Sequence, residues 1–128
     1  MKTQSILVIE PDSNLRELLQ LCLTELTDWE VVTTASVRGG LNLAFNQTFE
    51  AILLAVSTAK VDRDRCLEFI QNLTDSPSTQ SIPILLLVQQ AEFLIPSNLC
   101  RNRIIHTVIK PFDPLTLSIQ IAALLPPE

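Results

Sequence analysis

An α/β architecture, with a five-stranded parallel sheet covered by helices on both faces, follows from three observations. Short apolar, β-branched runs alternate with amphipathic stretches five times along the chain. The runs are apolar nearly throughout rather than apolar at every second position, as expected of strands buried on both faces. The stretches between them are long enough for helical crossovers, which are right-handed in such sheets. A chain of 128 residues is one ordinary domain, residues 1–128, able to bury a core without metal or disulfide staples.

The elements follow in order. Ser5 to Ile9 reads Ser-Ile-Leu-Val-Ile, a buried strand. Asp12 or Ser13 caps the next helix, in which Leu15, Leu18, Leu19, Cys22 and Leu26 make one apolar stripe. Residues 29–34, rich in Val and Thr, form the second strand. Ser36 caps a helix over residues 37–47, with Val37, Leu41, Ala44 and Phe45 facing inward. Its Gly39-Gly40 pair costs roughly 1 kcal/mol per glycine relative to alanine. Residues 51–56, Ala-Ile-Leu-Leu-Ala-Val, are the most apolar segment and read as a central strand. A helix with Leu67, Ile70 and Leu73 follows, and Pro77 and its neighbours break it. Pro83 introduces a fourth strand at 84–88, and residues 104–109 make a fifth. Between them, Pro96 implies a short or broken helix in residues 89–103. Pro114 sits in the first turn of a final helix reaching about Leu125, and Pro126-Pro127 stop it.

Composition excludes several classes of function. Hydrophobic residues make up 47% and mean hydropathy is +0.31, yet no apolar run is long enough to cross a bilayer. With no apolar signal region ahead of the first strand, a cytoplasmic location is expected, with no membrane partner. The formal net charge of −5 and the absence of a basic stripe argue against direct nucleic-acid binding. Cys22, Cys66 and Cys100 form no CxxC motif and read as reduced, apolar side chains. The lone His106 makes no zinc site. The two glycines are Gly39 and Gly40, so no glycine-rich phosphate loop follows any strand, and a nucleotide- or flavin-binding enzyme is disfavoured.

In a parallel sheet of this kind the functional site lies beyond the carboxyl ends of the strands. Those ends are Glu10-Pro11, Ala55-Val56-Ser57, Val88-Gln89 and Lys110-Pro111. The opening Ile-Leu-Val-Ile-Glu-Pro-Asp-Ser-Asn-Leu-Arg-Glu-Leu-Leu, Asp28-Trp29-Glu30-Val31-Val32-Thr33, Ile82-Pro83-Ile84-Leu85-Leu86-Leu87 and Lys110-Pro111-Phe112-Asp113-Pro114 resemble the receiver domains of bacterial two-component response regulators. The resemblance covers almost the whole chain. It implies a flavodoxin-like, three-layer (βα)5 fold with strand order 2-1-3-4-5 and a place in phosphorelay signalling.

The resemblance also implies a chemistry: phosphoryl transfer from a kinase phosphohistidine to an aspartate after the third strand. An acidic pair after the first strand helps to hold Mg²⁺, a hard cation that takes oxygen ligands. A hydroxyl after the fourth strand and a lysine after the fifth neutralise the phosphoryl oxygens. In this chain the acceptor position falls on Ala55, the acidic pair on Glu10 and Pro11, and the hydroxyl on Val88. The aromatic switch position falls on Thr107, and a usual glycine before the fifth strand is replaced by Arg103. Lys110 alone is intact. Glu50-Ala51-Ile52-Leu53-Leu54-Ala55 matches the family pattern without a gap, which leaves Ser57, Thr58 and Asp62 as poor substitutes for the acceptor.

The expectation is a degenerate member, a pseudo-receiver, that is not an enzyme, has lost Mg²⁺ and works by binding protein. Two alternatives stand beside it: a small-ligand sensor using a cleft lined by Val88, Ala55 and Lys110, or a receiver phosphorylated at a non-standard residue. Glu10 and Lys110 should pair across the vacated site. At ~4 Å and an effective dielectric of ~20 their attraction is about 4 kcal/mol before desolvation. In the last helix Leu117, Ile121, Leu124 and Leu125 face the core, while Leu115, Ile119 and Ala122 recur at i, i+4 and i+7 on another face. That second stripe, with the fifth strand, is the expected surface for a signalling partner or a homodimer.

Overall fold

The computed structural model describes residues 4–56, 59–89, 105–110 and 112–125. Among the described residues there are five strands: β1 (Ser5–Ile9), β2 (Glu30–Thr34), β3 (Ala51–Val56), β4 (Ile84–Val88) and β5 (Ile105–Ile109). They form one parallel sheet in the order β2-β1-β3-β4-β5. Four helices are described: α1 (Ser13–Leu26), α2 (Val37–Asn46), α3 (Lys60–Thr74) and α4 (Pro114–Leu124). The broken helix expected within 89–103, Arg103 and the expected first residue of β5, Ile104, lie outside the described residues, Gln89 excepted.

β3 and β4 are buried along their whole length, because each has a strand on both sides and helices on both faces. Alternate residues feed two cores. Leu7, Ile9, Ile52, Leu54, Leu86 and Val88 pack under α2 and α3. Ile6, Val8, Leu53, Ala55, Leu85 and Leu87 pack under α1 and α4. Helix starts follow the expected capping chemistry. Asp12 accepts from the amides of Asn14 and Leu15 at 2.9 and 3.2 Å, and Ser36 accepts from that of Gly39 at 3.1 Å. Pro114 occupies the first turn of α4.

Three helix-face expectations are corrected. Leu18 and Leu26 of α1 are 46% and 48% exposed, and the buried row is Leu19 and Leu23 with Leu15 beside it. Phe45 of α2 is 47% exposed, and the inward aromatic is Phe49, in the segment between α2 and β3. On α3, Cys66, Phe69, Ile70 and Leu73 are buried whereas Leu67 is only partly so. In each case the apolar stripe is wider than the contact it makes, so residues at its margin remain outside.

Gly40 has a packing role that its propensity cost conceals. A Cβ there would collide with Cδ1 of Ile9 and lie 2.8 Å from its Cγ1. The missing side chain lets α2 rest directly on β1.

Candidate functional site

The carboxyl ends of the strands bring Glu10 and Lys110 together. Glu10 follows β1 directly, and its amide donates to the Thr34 carbonyl at 3.0 Å, continuing the ladder with β2. Its residue is 1% exposed. Lys110 follows β5, and its amide donates to the Val88 carbonyl at 2.7 Å. Lys110 Nζ lies 2.9 Å from Glu10 Oε1. The expected ion pair is therefore formed. The other carboxylate oxygen, Oε2, accepts from the Asp12 amide at 3.2 Å. Arg16 Nη1 donates to the carbonyls of Glu10 and Pro11 at 2.9 and 3.4 Å, closing the turn from outside. A charge this deeply buried persists only when both oxygens are satisfied, and here they are.

Between these partners the remaining positions are apolar. Ala55 presents a methyl group and is 9% exposed. Val88 is 2% exposed and belongs to the core under α2 and α3, while Ala55 belongs to the core on the other face. Adjacent register positions explain the split: Ala55 pairs with Leu87 and Val56 with Val88, so the two side chains alternate to opposite faces. Val88 and Ala55 therefore do not turn their side chains to the same side of the sheet. Through its main chain, whose carbonyl meets Cys66, Ala55 also borders a cavity of about 220 Å³ lined by Ile9, Val37, Asp62, Arg65 and Cys66 on the α2–α3 side.

The buried Cys66 thiol lies 3.8 Å from the Ala55 carbonyl, to which it donates. Burial, with a smaller contribution from the nearby Asp62 charge, pushes this thiol up to about 11. Thr107 is exposed on β5. Asp62 sits half-buried in the first turn of α3, and Ser57 and Thr58 lie outside the described residues. Sequence reasoning missed Cys66 and Arg65 as cavity residues. Their side-chain types carry no motif, and only the approach of α3 to β3 brings them to Ala55.

Backbone comparison decides which fold this is. Chemotaxis protein CheY4 of Vibrio cholerae superposes with a TM-score of 0.78 at 21% identity, over 97% of this chain and 100% of that one. The fold is that of response-regulator receiver domains. A putative response regulator from Chloroflexus aurantiacus gives 0.76 at 22% identity, covering 96% and 98%. The receiver domain of sensor histidine kinase PA1611 from Pseudomonas aeruginosa, with magnesium coordinated in its active-site cleft, gives 0.77 at 19% identity, again covering 96% and 98%. No family model and no curated protein matches the sequence.

The receiver fold raises the question of magnesium. The residues present do not fit such a site. Of the positions matching the acidic pair and the acceptor, Pro11 and Ala55 offer no side-chain oxygen, and the Glu10 carboxylate is taken by Lys110 and the Asp12 amide. The Oδ1 of Asp12 accepts from two amides at the start of α1. Mg²⁺ demands near-octahedral oxygen coordination, which one engaged carboxylate does not supply.

Proposed function

We propose that this chain is a receiver domain of two-component signalling that acts without phosphorylation, as a non-enzymatic protein-interaction module of the bacterial cytoplasm. The receiver fold supports the pathway. The observation that carries the rest is the chemistry at the strand ends: a methyl group at Ala55 where the family places its nucleophile, and a Lys110 ammonium already held by Glu10. An apolar Val88 at the hydroxyl position points the same way.

The interaction surface in this reading is α4 with β5. α4 reads Pro-Leu-Thr-Leu-Ser-Ile-Gln-Ile-Ala-Ala-Leu and carries no charged residue. Leu117 and Ile121 are fully buried on its inner side, while Leu115 and Ile119 are 53% and 63% exposed and Ala122 is exposed beside them. A helix that is apolar all round is normally covered on all sides. β5 is an edge strand, and its exposed residues, His106, Thr107 and Ile109, include no acidic or permanently cationic side chain. On a molecule of net charge −5, this uncharged patch is where a second copy approaches with least repulsion.

Two measurements test the reading. Incubation with acetyl phosphate and Mg²⁺ should leave the intact mass unchanged; one added phosphoryl group, lost when Ser57, Thr58 or Asp62 is replaced, overturns phosphorylation independence. Sedimentation should show self-association that Leu115→Lys with Ile119→Lys abolishes while the circular dichroism spectrum stays the same. Association that survives in the folded double variant places the interface elsewhere.

A further inference from the structure

We infer that the groove between α2 and α3 is a binding site for a small amphipathic organic anion, an aliphatic or flat apolar body carrying one carboxylate-like head. The inference goes beyond the proposed interaction role and does not require it, since the groove lies on the opposite face of the sheet from α4. Two cavities make up the groove. The inner one, about 220 Å³, reaches in to Ala55 and is walled by Ile9, Ala35, Val37 and Cys66. The outer one, about 450 Å³, runs along Val37, Leu41, Phe69 and Asn72. Ser36, Val37 and Arg65 line both, so the two adjoin along a shared wall. The outer volume falls in the range of small-molecule sites, and the inner cavity is walled mostly by apolar residues with a few polar groups.

The charged groups set the class of ligand. Arg38 and Arg65 both line the outer cavity, and neither guanidinium has a hydrogen bond or ion pair among the described residues. Glu68 lines the same cavity, so its wall carries two guanidinium groups against one carboxylate, a locally positive site on an acidic protein. The inner cavity carries Asp62 against Arg65, opposite charges in a wall otherwise mostly apolar, which assigns that end to the apolar part of the ligand. Guanidinium forks match carboxylate geometry.

Sodium octanoate, its shorter homologues and octan-1-ol, titrated into the purified full chain, test the assignment by calorimetry and by amide NMR shifts. Octanoate should shift residues of α2, α3 and the 35–37 turn. Affinity should rise about two- to fourfold per added methylene, as expected for partial to full burial of each. Octan-1-ol should bind about tenfold more weakly. Arg38→Gln with Arg65→Gln should remove that difference without altering octan-1-ol binding. Both arginines are exposed, so this variant keeps its core. No binding of octanoate at millimolar concentration overturns the inference. So do shifts centred on α4, or an unchanged affinity in the double variant.

Discussion

At the residue scale the informative pair is Glu10 with Lys110. A buried ion pair adds little net stability over an apolar replacement, but removing one partner strands the other. Lys110→Met should therefore destabilise the fold by about 3 kcal/mol in urea denaturation, at the lower end of the range because the Lys110 side chain is 20% exposed. Glu10→Gln with Lys110→Met should cost less than the sum of the two single changes, which a double-mutant cycle measures. Cys66 gives a second, pH-dependent prediction. Below pH 9 the thiol is protonated in both the folded and the unfolded chain and contributes no slope. Above the ordinary value of 9.0 the unfolded chain loses its thiol proton, whereas the folded chain keeps it until about 11. The unfolded state then binds fewer protons, so stability falls as pH rises through this window, by about 2–3 kcal/mol. Cys66→Ala should remove that fall, measured as the difference between the two pH profiles.

At the scale of elements, the contact between α2 and β1 is set by Gly40. Alanine is the better helix former by about 1 kcal/mol, yet Gly40→Ala would drive a Cβ into the end of the Ile9 side chain. Overpacking of this kind costs typically 1–3 kcal/mol, so after the gain in helix propensity the net effect should be a loss of up to about 2 kcal/mol. Shortening the obstacle discriminates the cause. Ile9→Val removes the Cδ1 atom, and Gly40→Ala should cost measurably less in that background. Equal costs in both backgrounds would show that the close approach is not what Gly40 serves. α4 illustrates the opposite relation between sequence and packing. Its two apolar rows were legible as rows, and the structure seats one of them, Leu117 and Ile121, against Leu53, Leu85 and Leu87.

At the scale of the whole molecule, charge and apolar surface are distributed unevenly. The chain carries a formal −5, and α4 contributes none of it. If copies meet through α4 and β5, apolar contact drives association and the net charge opposes it. Added salt screens that opposition, since the Debye length falls from about 10 Å at 0.1 M to about 3 Å at 1 M. Self-association should therefore strengthen with sodium chloride, roughly several-fold between 0.05 and 0.5 M. An interface held by ion pairs would weaken over the same range. Sedimentation equilibrium at both concentrations distinguishes the two.

Five strands, four of the helices, the caps at Asp12 and Ser36 and the identity of the strand-end residues were all legible in the sequence. Each depends on local chemistry: β-branched runs, helical spacing, a side-chain oxygen at a helix start. The Glu10–Lys110 pair was also legible, because a parallel sheet of known order sends the ends of its strands to one side. What the sequence did not decide was which marginal residues are covered, as Leu18, Leu26 and Phe45 show. Nor did it decide which face of the sheet receives each strand-end side chain. Ala55 and Val88 fall on opposite faces because the pairing aligns Ala55 with Leu87, a register that no single strand carries in its own residues. The groove from Ala55 to Arg38 likewise exists only through the seating of α2 and α3, whose distance from the sheet is a property of side chains interlocking across separate segments.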